Sequence, residues 1–174
     1  MTAAAGARIA LIVFVVAILQ VSAFSSITVG GAALDVLLVS LVSIALLRGA
    51  IAGAVAGFAA GLLVDVATLG TLGMTSLLLT LAGFWAGRYG ETTGRGRPHA
   101  PLVATLAATA FVEIGGYLLD SLLGGPVAVR AALVALPAAL VLNGLLAYPV
   151  FALVRRFAGA TERLDRAGEV ELLV

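Results

Sequence analysis

Long apolar runs set the strongest limit on what this chain can become. Six of them follow one another, at about 9–26, 32–47, 50–65, 74–89, 101–123 and 129–154. The breaks between them, such as Gly30-Gly31, Arg48-Gly49, Thr68 to Gly73 and Gly124-Gly125-Pro126, consist largely of turn-forming residues. A helix that crosses a bilayer needs roughly 20 apolar residues, and a shorter one spans when its flanks snorkel or the bilayer thins. With 62% of 174 residues hydrophobic, the chain has material for about five or six such helices and little else. Open strands cannot satisfy their backbone in lipid, and the alternation of a membrane barrel is absent. The expected fold is therefore all-α. It is a polytopic integral membrane protein of six transmembrane helices, one domain over 1–174, with a short tail over 155–174.

Composition removes several function classes. Only 11% of residues are charged, where soluble domains carry about 25%. That excludes a water-soluble enzyme, a disordered chain and a nucleic-acid binder. There is no cysteine, so thiolate chemistry is impossible. The one histidine, His99, follows Pro98 in a polar stretch and reads as a solvated loop residue. No His, Asp or Glu group has the spacing of metal ligands. Neither catalysis nor a cofactor is expected.

All ten basic residues are arginine, so orientation rests on few positions. With the N-terminus inside, Arg8, Arg48, Arg88, Arg95, Arg97, Arg155, Arg156, Arg163 and Arg166 fall on the cytoplasmic side. Arg130 alone falls outside. This is a strong positive-inside bias and places both termini in the cytoplasm. Trp85, Tyr89, Tyr148 and Phe151 lie near inner helix ends, as an aromatic belt would. Arg8 and Val21-Ser22-Ala23 also suit a cleaved signal peptide, but the apolar run exceeds the usual 7–15 residues. An uncleaved first span is the better expectation.

The most specific local pattern is a ridge of Gly49, Gly53, Gly57 and Gly61 along the third run, flanked by Ala52, Ala56 and Ala60. Small residues let helix backbones approach closely in lipid. The ridge packs either inside the bundle or against a partner's transmembrane helix. Gly83 and Gly87 give the fourth run a weaker version of the same face.

The acidic residues are few. Asp35, Asp65 and Asp120 are expected at outer helix ends. Asp35 opens its helix, where the dipole favours a carboxylate. Asp65 and Asp120 close theirs, where the dipole opposes one, so water, an arginine or a neighbour's backbone must stabilise them. A hairpin centred on Gly124-Gly125-Pro126 sets Asp120 opposite Arg130. Glu113 lies deeper, on one face with Tyr117 and Asp120. An intramembrane carboxyl is a functional candidate by default. Its structural alternative is a protonated Glu113 donating to the Leu133 carbonyl, which Pro137 leaves without its helical donor. Gln20 and Asn143 are the remaining buried polar residues, and Asn143 reads as interhelical glue.

Read in order, Leu34-Asp35-Val36-Leu37-Leu38, Leu46-Leu47-Arg48-Gly49, Gly57-Phe58, Gly61-Leu62-Leu63-Val64-Asp65 and Leu72-Gly73 resemble the rod shape-determining protein MreD family. Asn143 with Tyr148-Pro149-Val150 is similar to that family's last span. The positions that match the motif are Asp35, Arg48, Gly57, Gly61, Asp65 and Gly73. The resemblance implies a non-enzymatic membrane scaffold of the bacterial elongation machinery, which helps organise lateral peptidoglycan synthesis and rod shape. It implies an MreC-like single-span partner that the glycine ridge would hold. MreB, RodZ, RodA and its transpeptidase are implied as further partners, with membrane lipids around the bundle. It also implies a fold similar to the substrate-binding components of energy-coupling-factor vitamin transporters. The alternative function is accordingly a vitamin- or lipid-binding component of a membrane transporter.

Overall fold

A computed structural model describes residues 28–29, 32–33, 35–93, 97–124 and 129–171, with side-chain surroundings for 35–93, 97–124 and 134–157. The first expected span and Gln20 lie outside the described residues. A two-residue antiparallel ladder comes first, with β1 (Thr28–Val29) paired to β2 (Ala32–Ala33). Five helices follow: α1 (Val36–Arg48), α2 (Ala50–Thr68), α3 (Met74–Thr93), α4 (Ala100–Leu122) and α5 (Val129–Glu171). They correspond to the second to sixth expected runs. Apart from the small ladder, the described fold is helical.

Several boundaries differ from expectation: Ala32–Ala33, expected in the second span, form β2, α1 starts only at Val36 because Asp35 caps it, and α2 runs on to Thr68. α3 continues past Tyr89 to Thr93, and α5 runs through Arg155-Arg156 to Glu171. Apolarity ends near those points, but helicity does not, because Arg, Glu, Ala and Leu are good helix formers in water as in lipid. α5 also passes through Pro137 and Pro149 without ending.

α2, α4 and residues 134–157 of α5 are each long and apolar enough to cross a membrane. The protein is a membrane protein. α1 is a short apolar helix of 13 residues, which rises about 20 Å. The last turns of α3 carry Arg88 and Glu91, which lower its apolarity.

α1 is the axis of the molecule. Every residue from Leu37 to Leu46 is buried, on all faces of the helix. A helix apolar all round has no side to offer water and is stable only when enclosed. α2, α3, α4 and α5 all pack against it. Ser43 sits in this core with its hydroxyl donating to the Val39 carbonyl at 2.8 Å, so it adds no unpaired group. The reversal from α1 to α2 takes one residue, Gly49, whose φ of 96° is open to glycine and strained for others. Arg48, half-buried before it, ends α1 where the helix dipole favours a cation.

Candidate functional site

The glycine ridge is occupied from within the chain. Gly53, Gly57 and Gly61 are buried against α3. A Cβ at Gly53 would fall on the Gly83 carbonyl, one at Gly57 on the Leu79 carbonyl, and one at Gly61 on the Ser76 backbone. From the other helix, a Cβ at Gly87 would strike the Gly49–Ala50 backbone. The Ser76 hydroxyl donates to the Phe58 carbonyl across the seam at 3.0 Å. Of the two readings of the ridge, packing inside the bundle describes Gly53, Gly57 and Gly61. α3 fills that face, because Gly83 and Gly87 complement it, and Gly49 serves the turn. A partner would have to displace α3 to reach the ridge.

Two carboxylates fasten the ends of this helix pair. Asp65 lies in the last turn of α2 and is 2% exposed. Its Oδ2 accepts from the Gly73 N–H at 2.8 Å and the Ser76 N–H at 3.3 Å, and its Oδ1 from the Thr75 N–H at 3.1 Å. Thr75 and Ser76 lie in the first turn of α3 and Gly73 immediately precedes it, where N–H groups have no partner inside the helix. The neighbour's backbone therefore stabilises Asp65, and the positive end of α3 outweighs the negative end of α2. Gly73 meets the carboxylate with a φ of 93°, which again suits glycine. At the opposite end, Glu91 Oε1 accepts from the Ala50 N–H at 2.9 Å, capping the start of α2. Its Oε2 lies 3.4 Å from Arg88 Nη1.

A second polar assembly joins α1, α4 and α5. Asp35 caps α1, its Oδ1 accepting from the Leu38 N–H at 2.9 Å. The Asp35 N–H donates to Asn143 Oδ1 at 3.1 Å. Asn143, 1% exposed, donates through Nδ2 to Thr109 Oγ1 at 3.2 Å. One amide side chain thus ties three helices. Thr109 and Asn143 are well inside their helices, so Asp35 is level with the interior of α4 and α5 and not with their outer ends. Asp35 thus opens its own helix, as expected. Glu113, one turn beyond Thr109 on α4, is exposed.

A family model for the rod shape-determining protein MreD matches residues 4–158. The chain belongs to the MreD family. No curated protein and no solved structure matches it. The MreD family is one of structural shape-determining proteins, and this member is a rod-shape membrane protein. Two of its motif positions, Asp65 and Gly73, are partners in a single hydrogen bond. Two others, Gly57 and Gly61, are points where α3 touches backbone to backbone.

The remaining expected residues of this MreD-family chain are spread along α4 and α5. Tyr117 is half-buried and Asp120 exposed. The expected Asp120–Arg130 pair and the Glu113–Leu133 contact each involve a residue, Arg130 or Leu133, whose side-chain surroundings lie outside the described residues. Three participants escaped the sequence reading: Glu91, Thr109 and Ser76. Glu91 carried a usable signal. Once α3 extends to Thr93, a carboxylate in its last turn faces the same unfavourable dipole as Asp65, and needs the same kind of partner.

Proposed function

We propose that this protein is a scaffold of the bacterial elongation machinery in the cytoplasmic membrane, holding an MreC-like single-span protein and helping organise lateral peptidoglycan synthesis. Family membership supports the cell-shape role. The observation that carries the scaffold reading is where the polar side chains go. Asp65, Glu91, Asn143, Thr109 and Ser76 are spent on joining helices to one another, and Asp35 on capping its own. Such an interior is built to keep a fixed outer surface.

In this reading the chain spans six times, with the first run and α1 to α5 as successive spans and both termini in the cytoplasm. The arginine asymmetry supports that orientation. The arrangement follows that of the substrate-binding components of energy-coupling-factor transporters. MreB, RodZ, RodA and its transpeptidase are reached through the same assembly. Because α3 covers the glycine ridge, the partner's helix docks on an outward face. The stripe of Ile51, Val55, Phe58 and Leu62 on α2 is exposed and helical in spacing.

Co-purification in mild detergent with a photocrosslinking residue at Phe58, and a second at Leu145 on α5, tests this. The MreC-like protein is expected to co-purify and to crosslink from one of these sites. Failure to co-purify, together with normal rod shape after loss of the protein, overturns the proposal.

A further inference from the structure

The outward surface between α3 and α4 holds a groove of about 260 Å³, walled by Trp85, Tyr89, Val103 and Phe111 and floored by alanines. The floor residues Ala82, Ala86, Ala104 and Ala108 are buried, so the groove has a fixed bottom. Trp85 stands at its edge, 63% exposed, with its ring set at 81° to that of Phe84 and 5.7 Å away. The edge-to-face contact orients the indole.

The dimensions select an occupant. From Val103 to Phe111 the helix rises about 12 Å. The groove volume over that length leaves a section of about 20 Å², close to one hydrocarbon chain at ordinary carbon contact distances. One extended acyl chain fills it.

Charge selects the rest of the molecule. The groove ends at Tyr89 and Val103, near the connection from α3 to α4. Arg88 immediately precedes Tyr89 and lies 3.4 Å from Glu91, and the connection adds Arg95 and Arg97, so three arginines face one carboxylate at this end. Arg88 and Arg97 are both exposed. An apolar slot that opens beside arginines is complementary to a lipid with an anionic headgroup. We propose that this groove binds one acyl chain of an anionic phospholipid, with its phosphate held by Arg88 and Arg97. The inference needs the protein to be in a membrane, but it does not depend on MreC binding.

Trp85 is the chain's single tryptophan and a built-in reporter. The full-length protein is reconstituted in vesicles containing phosphatidylglycerol or phosphatidylcholine brominated on the acyl chains, and quenching of Trp85 is compared. Phosphatidylglycerol is expected to be preferred about fivefold. The preference is expected to fall toward unity in a variant with both Arg88→Gln and Arg97→Gln. Ala107 lines the groove from an exposed position, so Ala107→Phe fills it without entering the core. That variant should lose the preference while keeping its helical circular dichroism. Equal quenching by the two lipids overturns the proposal, as does an undiminished preference in Ala107→Phe. Shielding of Trp85 from both lipids by a co-reconstituted single-span protein also overturns it, and assigns the groove to a helix.

Discussion

Asp65 and Glu91 stand at opposite ends of one helix pair, and each caps the helix it does not belong to. The antiparallel pairing of α2 and α3 makes this possible, since each carboxylate leaves a negative helix end for a positive one. Hydrogen bonds fix the ends, and glycine contacts fix the middle. The pair therefore has no free register.

Asp65→Ala removes three acceptor contacts, one of them from a buried donor, the Ser76 N–H. We expect a loss of about 2–3 kcal/mol, because hydrogen bonds to charged groups and stranded buried donors are each worth that order. Asp65→Asn keeps one acceptor oxygen and should recover part of the loss. Thermal unfolding in detergent, followed by circular dichroism, ranks the three proteins. Equal stability of Asp65→Ala and the parent protein contradicts the cap.

Glu91→Ala should be milder, about 1 kcal/mol, because its carboxylate is exposed and serves one backbone donor. The two caps are separated by the length of α2, about 28 Å. Their effects should therefore add within about 0.5 kcal/mol in the double variant. A larger coupling means that the ends communicate through the seam.

Gly57→Ala places a methyl group on the Leu79 carbonyl, with backbone on both sides of the clash. A destabilisation of about 3 kcal/mol is expected, at the upper end of overpacking effects. Ala59→Leu, on the exposed face of the same helix, should be close to neutral. The contrast is read from the yield of monodisperse protein and its melting temperature. If both variants behave alike, α3 does not cover the ridge.

Asn143→Leu strands the Asp35 N–H in the bundle and should lower stability by about 1–2 kcal/mol, as interhelical polar contacts in membranes do. Glu113→Gln should leave the fold intact and its stability within about 0.5 kcal/mol, because the residue is exposed on α4. Complementation of rod shape then separates roles. A folded Glu113→Gln protein that fails to restore shape assigns the carboxyl to function.

The helical class and the five described helices were legible because lipid leaves helices as the simplest solution for long apolar runs. The Gly53–Gly57–Gly61 spacing was legible as a contact surface, but its partner was not. A ridge of small residues has the same pattern whether the second helix comes from its own chain or another. Asp65 was readable as a residue in need of a partner, since its own helix end repels it. Glu91 was hidden by a boundary, because the apolar pattern of α3 stops at Tyr89 while its helix continues. In the Asp35–Asn143–Thr109 junction, Asn143 was readable as interhelical glue, but its partners were not. It joins positions 108 and 34 residues apart, and no local periodicity encodes such distances.

The enclosed, 13-residue α1 has a consequence for biogenesis. It opens with a carboxylate and is too short to settle in a bilayer by itself. Its first backbone donor is satisfied by Asn143, which emerges from the ribosome more than a hundred residues later. During synthesis α1 must therefore wait, sheltered by the translocation machinery or by α2, until α4 and α5 arrive to close around it. Chains cut before α5 should be targets for membrane quality control, however apolar they are.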